Sequence, residues 1–269
     1  MRDCLYMMKK YKIDKSKNIG TVIFVVEGGR PETGGTELRL LKNIFCNILG
    51  YNVQELRRGC DEFIGYGSNP YSQVFALNLP KNQLTQLNDE TIDELFSRLR
   101  SEFKIKPEDC PIFYLYDRDY LSYKPNELRG KYVKKYTDPY SNDTGDQGQL
   151  LLSYPSVESY ILSCVKKDVF KDFYFLGKDA KKEISKYSFS EEDISKESHI
   201  VDAVFEMDKA LSNLGIDSYD LDNLADTLLN VYDKQQENHK NYKGFSLISL
   251  VSMALLELGV IIEDVIDDT

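Results

Sequence analysis

Two short apolar runs that end in acid constrain this chain more than any other feature. Thr21–Val26 (TVIFVV) leads directly into Glu27-Gly28-Gly29, and Pro111–Tyr116 (PIFYLY) leads directly into Asp117-Arg118-Asp119. Runs of this length, rich in β-branched and aromatic residues and lacking polar alternation, predict strands buried on both faces, as in parallel sheets covered by helices. Ligands of open α/β sheets gather outside the carboxyl ends of such strands. Glu27, Asp117 and Asp119 are therefore expected at one edge of one sheet. Carboxylates crowded there repel and raise one another's pKa, and a divalent cation relieves the strain.

The intervening segments fit an alternating order. A glycine-rich loop, Gly28–Gly35, precedes Thr36, the expected N-cap of a helix to about Leu49 that carries Leu38, Leu41, Phe45 and Leu49 at helical spacing. Tyr51–Leu56 and Val74–Leu79 read as further strands, and Asn88 as the cap of a helix over Asp89–Phe103 with Ile92, Leu95, Phe96 and Leu99 on one face. Leu121–Gln149 has weak periodicity and many Tyr, Lys, Asn, Asp and Gly residues, so a long functional loop or small insertion is expected. A helix around Val157–Val165 presents Glu158 near its first turn, and further helices are expected over Ile200–Leu214, Leu221–Gln236 and Ser246–Leu258. The pattern predicts an α/β fold, a mainly parallel sheet flanked by helices over residues 1–167, followed by a helical C-terminal region over 168–269, with the boundary near Lys167–Lys182.

A chain of 269 residues with 42% hydrophobic side chains has room for a substantial core. Cys4, Cys46, Cys60, Cys110 and Cys164 are scattered without a C-x-x-C pair, and His199 and His239 are the only histidines. Neither a disulfide framework nor a zinc site is expected, and the chain reads as cytoplasmic. Residues Met1 to Lys17 are basic without a signal-type apolar core, and the longest apolar stretch, Phe245–Ile262, is broken by Ser246, Ser249, Ser252, Glu257 and Gly259, so it reads as a buried or interfacial helix and not a membrane span. The formal net charge of −10 hides an asymmetry: Lys9, Lys10, Lys12, Lys15 and Lys17 cluster near the start, and Lys124, Arg129, Lys131, Lys134 and Lys135 follow the second acidic strand. A local basic patch steers phosphate even on an acidic protein. Lys124, Arg129 and Lys131 are the basic residues nearest the acids and the candidates for gripping substrate phosphate.

If the strand persists, Asp117 and Asp119 share a face about 6–7 Å apart. Oxygen ligands without histidine match Mg²⁺ or Mn²⁺, as one or two ions. Glu27 at the adjacent strand end completes the ligand set or acts as general base, and Glu37, in the first turn of the next helix, faces the same crevice. Arg118, between the aspartates, is expected on the opposite face as a structural ion-pair partner. Each element has a plainer reading, since D-x-D is common in turns and Glu158 complements a helix N-terminus. The conjunction is more specific than its parts.

The order V-V-E-G-G, T-E-L at a helix start, F-Y-L-Y-D-R-D and Y-P-S-V-E-S-Y-I-L resembles the TOPRIM domain of OLD-type and RloB-type nucleases and of the TOPRIM effector of the PARIS defence system, over roughly Val22 to Leu162. The resemblance implies Glu27, Asp117 and Asp119 as catalytic acids and, with Glu37 and Glu158, as ligands of Mg²⁺ or Mn²⁺. It implies a metal-dependent nuclease acting on the phosphodiester bonds of DNA or RNA in anti-phage defence by abortive infection. One departure is the longer loop between Gly28 and Thr36, which bears on Glu37 more than on Glu27. The glycines fit neither G-x-G-x-x-G nor G-x-x-x-x-G-K-[ST], so any ATPase control is expected from a separate subunit. The alternative is a non-catalytic interaction or sensor subunit that docks on such an ATPase or forms a homo-oligomer, with Leu247, Leu250, Val251, Leu255 and Leu258 as its contact face.

Overall fold

The computed structural model describes residues 10–27, 35–56, 62–69, 71–79, 84, 87–118, 124–140 and 147–264. Its strands are β1 (Lys10–Ile13), β2 (Thr21–Val26), β3 (Asn52–Glu55), β4 (Phe63–Tyr66), β5 (Gln73–Asn78), β6 (Ile112–Asp117), β7 (Thr137–Asp138), β8 (Gly148–Tyr154), β9 (Phe173–Tyr174), β10 (Phe245–Ser246), β11 (Ile248–Ser249) and β12 (Ile261–Asp264). Its α-helices are α1 (Thr36–Asn43), α2 (Asp89–Phe103), α3 (Pro125–Leu128), α4 (Glu158–Ser163), α5 (Gly177–Ser185), α6 (Glu197–Asn213), α7 (Ala225–Tyr242) and α8 (Val251–Glu257). The central sheet has the order β11-β8-β6-β2-β5-β4-β3, with β7 pairing β8. Its middle strands β8, β6, β2 and β5 are parallel and its margins antiparallel, so the fold is α/β with a mixed sheet. No helix among the described residues is long and apolar enough to cross a membrane.

Burial on both faces explains the two diagnostic runs. Val22, Ile23, Phe24, Val25 and Val26 in β2, and Ile112, Phe113 and Tyr114 in β6, are wholly inaccessible to solvent. β6 runs one residue further than expected, so that Asp117 is itself a strand residue. The helix over Asp89–Phe103 has the predicted bounds: Asn88 Oδ1 accepts from Thr91 N at 3.0 Å, and Thr91 Oγ1 accepts from Asn88 N at 3.2 Å. At α1, extended Gly35 is the cap and Thr36 the first helical residue, which corrects the expected Thr36 cap. A π-turn over Ile44–Ile48 carries that helix to its predicted end near Leu49.

The sequence reading missed β8, whose seven residues are all buried, because Gln149 and Ser153 interrupt its apolar run and its start lies in the expected loop. That loop also holds α3 and β7. The helix expected over Ser246–Leu258 begins instead as β10 and β11 and is helical only over Val251–Glu257. The serines explain the difference. Ser249 pairs with Ser153 and shares a hydroxyl contact with it at 2.7 Å, while Gln235 Nε2 donates to Ser246 O at 2.8 Å and Ser246 N donates to Gln235 Oε1 at 3.1 Å. Through β11 the C-terminal region joins the central sheet, and β12 pairs with β1 near the start of the chain.

Candidate functional site

β2 and β6 lie side by side with Val26 opposite Leu115, and Glu27 N donates to Leu115 O at 3.2 Å. β6 continues to Asp117, opposite Ser153 of β8. Glu27 and Asp117 thus leave the sheet at the carboxyl ends of adjacent parallel strands. Asp117 Oδ1 accepts from Val157 N at 2.7 Å, which fixes this carboxylate against the turn before α4. Glu158 opens α4 and Glu37 is the second residue of α1; both are buried.

The electrostatics tie these acids together. Burial pushes the Glu37 carboxyl up to about 8; its own backbone N–H opposes the rise, the charges of Glu27 and Glu158 add to it, and Lys181 counters it. Asp117 is raised well above the usual carboxylate range, first by burial and then by Glu37, Glu158 and Glu27, with the Val157 N–H opposing. A lysine offsets part of this charge. Lys181 Nζ, on α5, lies 3.1 Å from Glu158 Oε1, and the charges of Glu158, Asp117 and Glu37 raise its pKa.

α5 reaches the site because its first residue is glycine. A Cβ on Gly177 would lie 2.8 Å from Ser156 Oγ and 3.9 Å from Glu158 Oε2. The sequence reading missed Lys181, which lies in the charge-rich segment taken as a domain boundary. The signal was Ala180 and Ile184, an i,i+4 pair that α5 buries while Lys181 stays exposed.

No family model, curated protein or solved structure matches this chain.

Asp119 lies outside the described residues, so the D-x-D motif is represented at the site by Asp117. Among the described residues, no group of three or more acidic, histidine or cysteine side chains is gathered tightly enough to hold a metal ion. The donor chemistry nonetheless suits a hard divalent cation, with carboxylate oxygens and no thiol or imidazole among Glu27, Glu37, Asp117 and Glu158.

The basic candidates are placed differently. Arg129 makes a bidentate pair with Asp233 of α7, Nε to Oδ1 and Nη2 to Oδ2 each at 2.7 Å, and Lys131 Nζ lies 2.6 Å from Glu127 Oε1. Lys124 is exposed just before α3. Arg118 is wholly buried, its guanidinium carbon 5.8 Å from the ring centre of Tyr232 and 5.6 Å from that of Phe245. Tyr232 also donates its hydroxyl to Pro125 O at 2.7 Å. Helix α7 thereby contacts the chain at Arg118 and again at Pro125 and Arg129.

Proposed function

We propose that this chain is a nuclease of TOPRIM type that uses Mg²⁺ or Mn²⁺ to hydrolyse phosphodiester bonds of DNA or RNA, as a cytoplasmic effector of anti-phage defence. The observation that carries this reading is that Glu27, Glu37, Asp117 and Glu158, drawn from four segments, interact electrostatically at the strand ends, where burial first and then their mutual charges raise the Glu37 and Asp117 pKa values. These are four of the five acids that the resemblance implies as ligands. A structural role alone gives no reason to bury mutually repelling carboxylates at strand ends, whereas cation binding does.

When bound, the ion supplies an activated water and neutralises charge on the phosphate. Glu27, Asp117 and Glu158, with Glu37 and the sequence-assigned Asp119, are the residues to hold it. The Val157 N–H orients Asp117, which fixes one ligand before loading. Glu37 carries a proton below about pH 8 and must release it to become a ligand, so loading is linked to pH. Lys181 sets a positive charge beside these acids, where it can stabilise charge developing on a phosphate oxygen.

The test is cleavage of plasmid DNA, single-stranded DNA and cellular RNA in Mg²⁺, Mn²⁺ or EDTA by wild type, Asp117→Ala and Glu27→Ala. Cleavage lost in EDTA and in both variants supports the nuclease and names its substrate. No cleavage, with no Mn²⁺ binding by calorimetry, transfers the reading to a sensor subunit that docks on a separate ATPase.

A further inference from the structure

Helix α5 meets the acid cluster along one face. Gly177 packs directly against Ser156, Ala180 and Ile184 are buried, and Lys181 lies beside Glu158. At about 100° per residue, Lys178, Lys182 and Ser185 fall together on the solvent side at i, i+4 and i+7, and all three are exposed. Lys181, with 64% of its side chain exposed, stands at the margin of this stripe and belongs both to it and to the acid site. Asp179 and Glu183, the two acids of α5, fall on the flank, where Glu183 is taken up by Lys166 and Lys186.

The outer lysines differ from their neighbours in charge balance. Lys166 is held by Asp172 and Glu183, Lys167 by Asp202, and Lys171 by Asp168. Lys178 and Lys182 pair with no acid among the described residues. Lys178 also stands in the first turn of α5, where a positive charge opposes the helix dipole and a bound anion would relieve that conflict. A surface of this kind fits a polyanion. The acids at the strand ends repel a phosphodiester chain, so a strand that reaches Asp117 needs positive charge on its approach. Lysine holds phosphate as a point charge and reads no bases. We propose that the stripe Lys178, Lys181 and Lys182 is the surface along which the phosphate backbone of a nucleic-acid strand enters the acidic site, Lys178 and Lys182 gripping phosphates beside the one that Lys181 faces. The identity of the polyanion rests on the nuclease reading of that site.

The test measures anisotropy of a fluorescein-labelled single-stranded DNA in Ca²⁺ across a salt series, and its cleavage in Mn²⁺. The variants are Lys178→Gln/Lys182→Gln, the charge-preserving Lys178→Arg/Lys182→Arg, and Lys104→Gln/Lys106→Gln. This last pair is exposed ahead of the amino end of β6, at the edge of the sheet opposite Asp117. Glutamine keeps helix propensity, so the α5 variants retain the helix. Lys178→Gln/Lys182→Gln is expected to weaken binding about tenfold and to lower the slope of log affinity against log salt by about 1.4, roughly 0.7 for each phosphate contact on a single strand. The arginine pair and the Lys104/Lys106 pair are expected to bind like wild type. Because the outer lysines touch no proposed metal ligand, the α5 glutamine pair is expected to raise KM for cleavage and leave kcat and Mn²⁺ affinity unchanged. Affinity and slope like wild type in that pair overturn the proposal and leave the nuclease reading standing if wild type cleaves. An equal loss in the Lys104/Lys106 pair also overturns it, because the effect then belongs to net charge. A wild type that binds through α5 but cleaves nothing supports the surface and removes the nuclease reading, and one that neither binds nor cleaves removes both.

Discussion

Lys181 Nζ lies 3.1 Å from Glu158 Oε1, joining an exposed lysine to a carboxylate whose side chain is only 6% exposed. Exposure weakens the pair itself, but removing the lysine leaves a buried charge without this partner. Lys181→Met is therefore expected to lower the thermal midpoint of the metal-free chain at pH 7. Loss of one positive charge from the cluster is also expected to tighten Mn²⁺ binding while it slows cleavage. Calorimetry and cleavage rates on the same preparation check this, and unchanged Mn²⁺ affinity would place Lys181 outside the field of the cation.

The raised carboxyls give stability a pH dependence of known sign. Glu37 shifts from an ordinary value of 4.5 to about 8, so between those pH values the folded chain holds a proton that the unfolded chain has released. Its contribution is fully present below about pH 4.5 and lost as pH rises toward 8, on the order of a few kcal/mol. Asp117 adds a contribution of the same sign, and so does Glu257, pushed by burial to about 8 away from this site. In EDTA the thermal midpoint is expected to fall across this window, and to fall less in Glu37→Gln. Mg²⁺ is expected to raise the midpoint more at pH 8 than at pH 5.5, because at low pH it competes with the proton. An identical Mg²⁺ effect at both values would argue against cation binding by these acids.

Elements that the residues specify locally were legible in the sequence. The apolar run Thr21–Val26 and the capped helix Asp89–Phe103 have the predicted bounds; Glu27, Glu37 and Asp117 were named from their places at strand ends and a helix start, and Glu158 through the resemblance. Elements defined by a distant partner were not legible. Ile248–Ser249 is a strand because Ser153–Tyr154 pairs with it, and no local pattern in an apolar, serine-broken stretch distinguishes that from the start of a helix. Lys181 belongs to the site only because Gly177 lets α5 approach Ser156, a tertiary relation that charge-rich sequence conceals. The roles of Arg129 and Lys131 depend likewise on Asp233 and Glu127, which lie within reach.

Those pairings separate the basic residues by salt dependence. A lysine or arginine that contacts phosphate contributes about one unit to the slope of log affinity against log salt concentration. Arg129 is engaged by Asp233, so Arg129→Ala is expected to leave the slope for nucleic-acid binding unchanged and to alter stability little, as for an exposed ion pair. Lys124→Ala is expected to reduce the slope. Anisotropy titrations from low to moderate salt decide between them, and a reduced slope in Arg129→Ala would support the phosphate role expected from sequence.

Gly148 sets the start of β8 and tests whether this strand holds the site in register. Its φ of +105° lies where side chains are rarely tolerated, and a Cβ would stand 2.3 Å from Tyr114 Cε2. Tyr114 cannot yield easily, since it is fully buried in β6 and its hydroxyl donates to Gln147 O at 3.0 Å. Gly148→Ala is therefore expected to cost about 2–4 kcal/mol, backbone strain and overpacking combined, read as a lower urea midpoint. Adding Tyr114→Leu is expected to recover the steric part and leave the strain. Because β8 sets Ser153 opposite Asp117 and leads to the Val157 N–H that holds the same carboxylate, Gly148→Ala is also expected to weaken Mn²⁺ binding at temperatures where it remains folded. Unchanged Mn²⁺ affinity in the folded variant would show that the Val157 contact is set by the turn before α4 and not by the strand behind it.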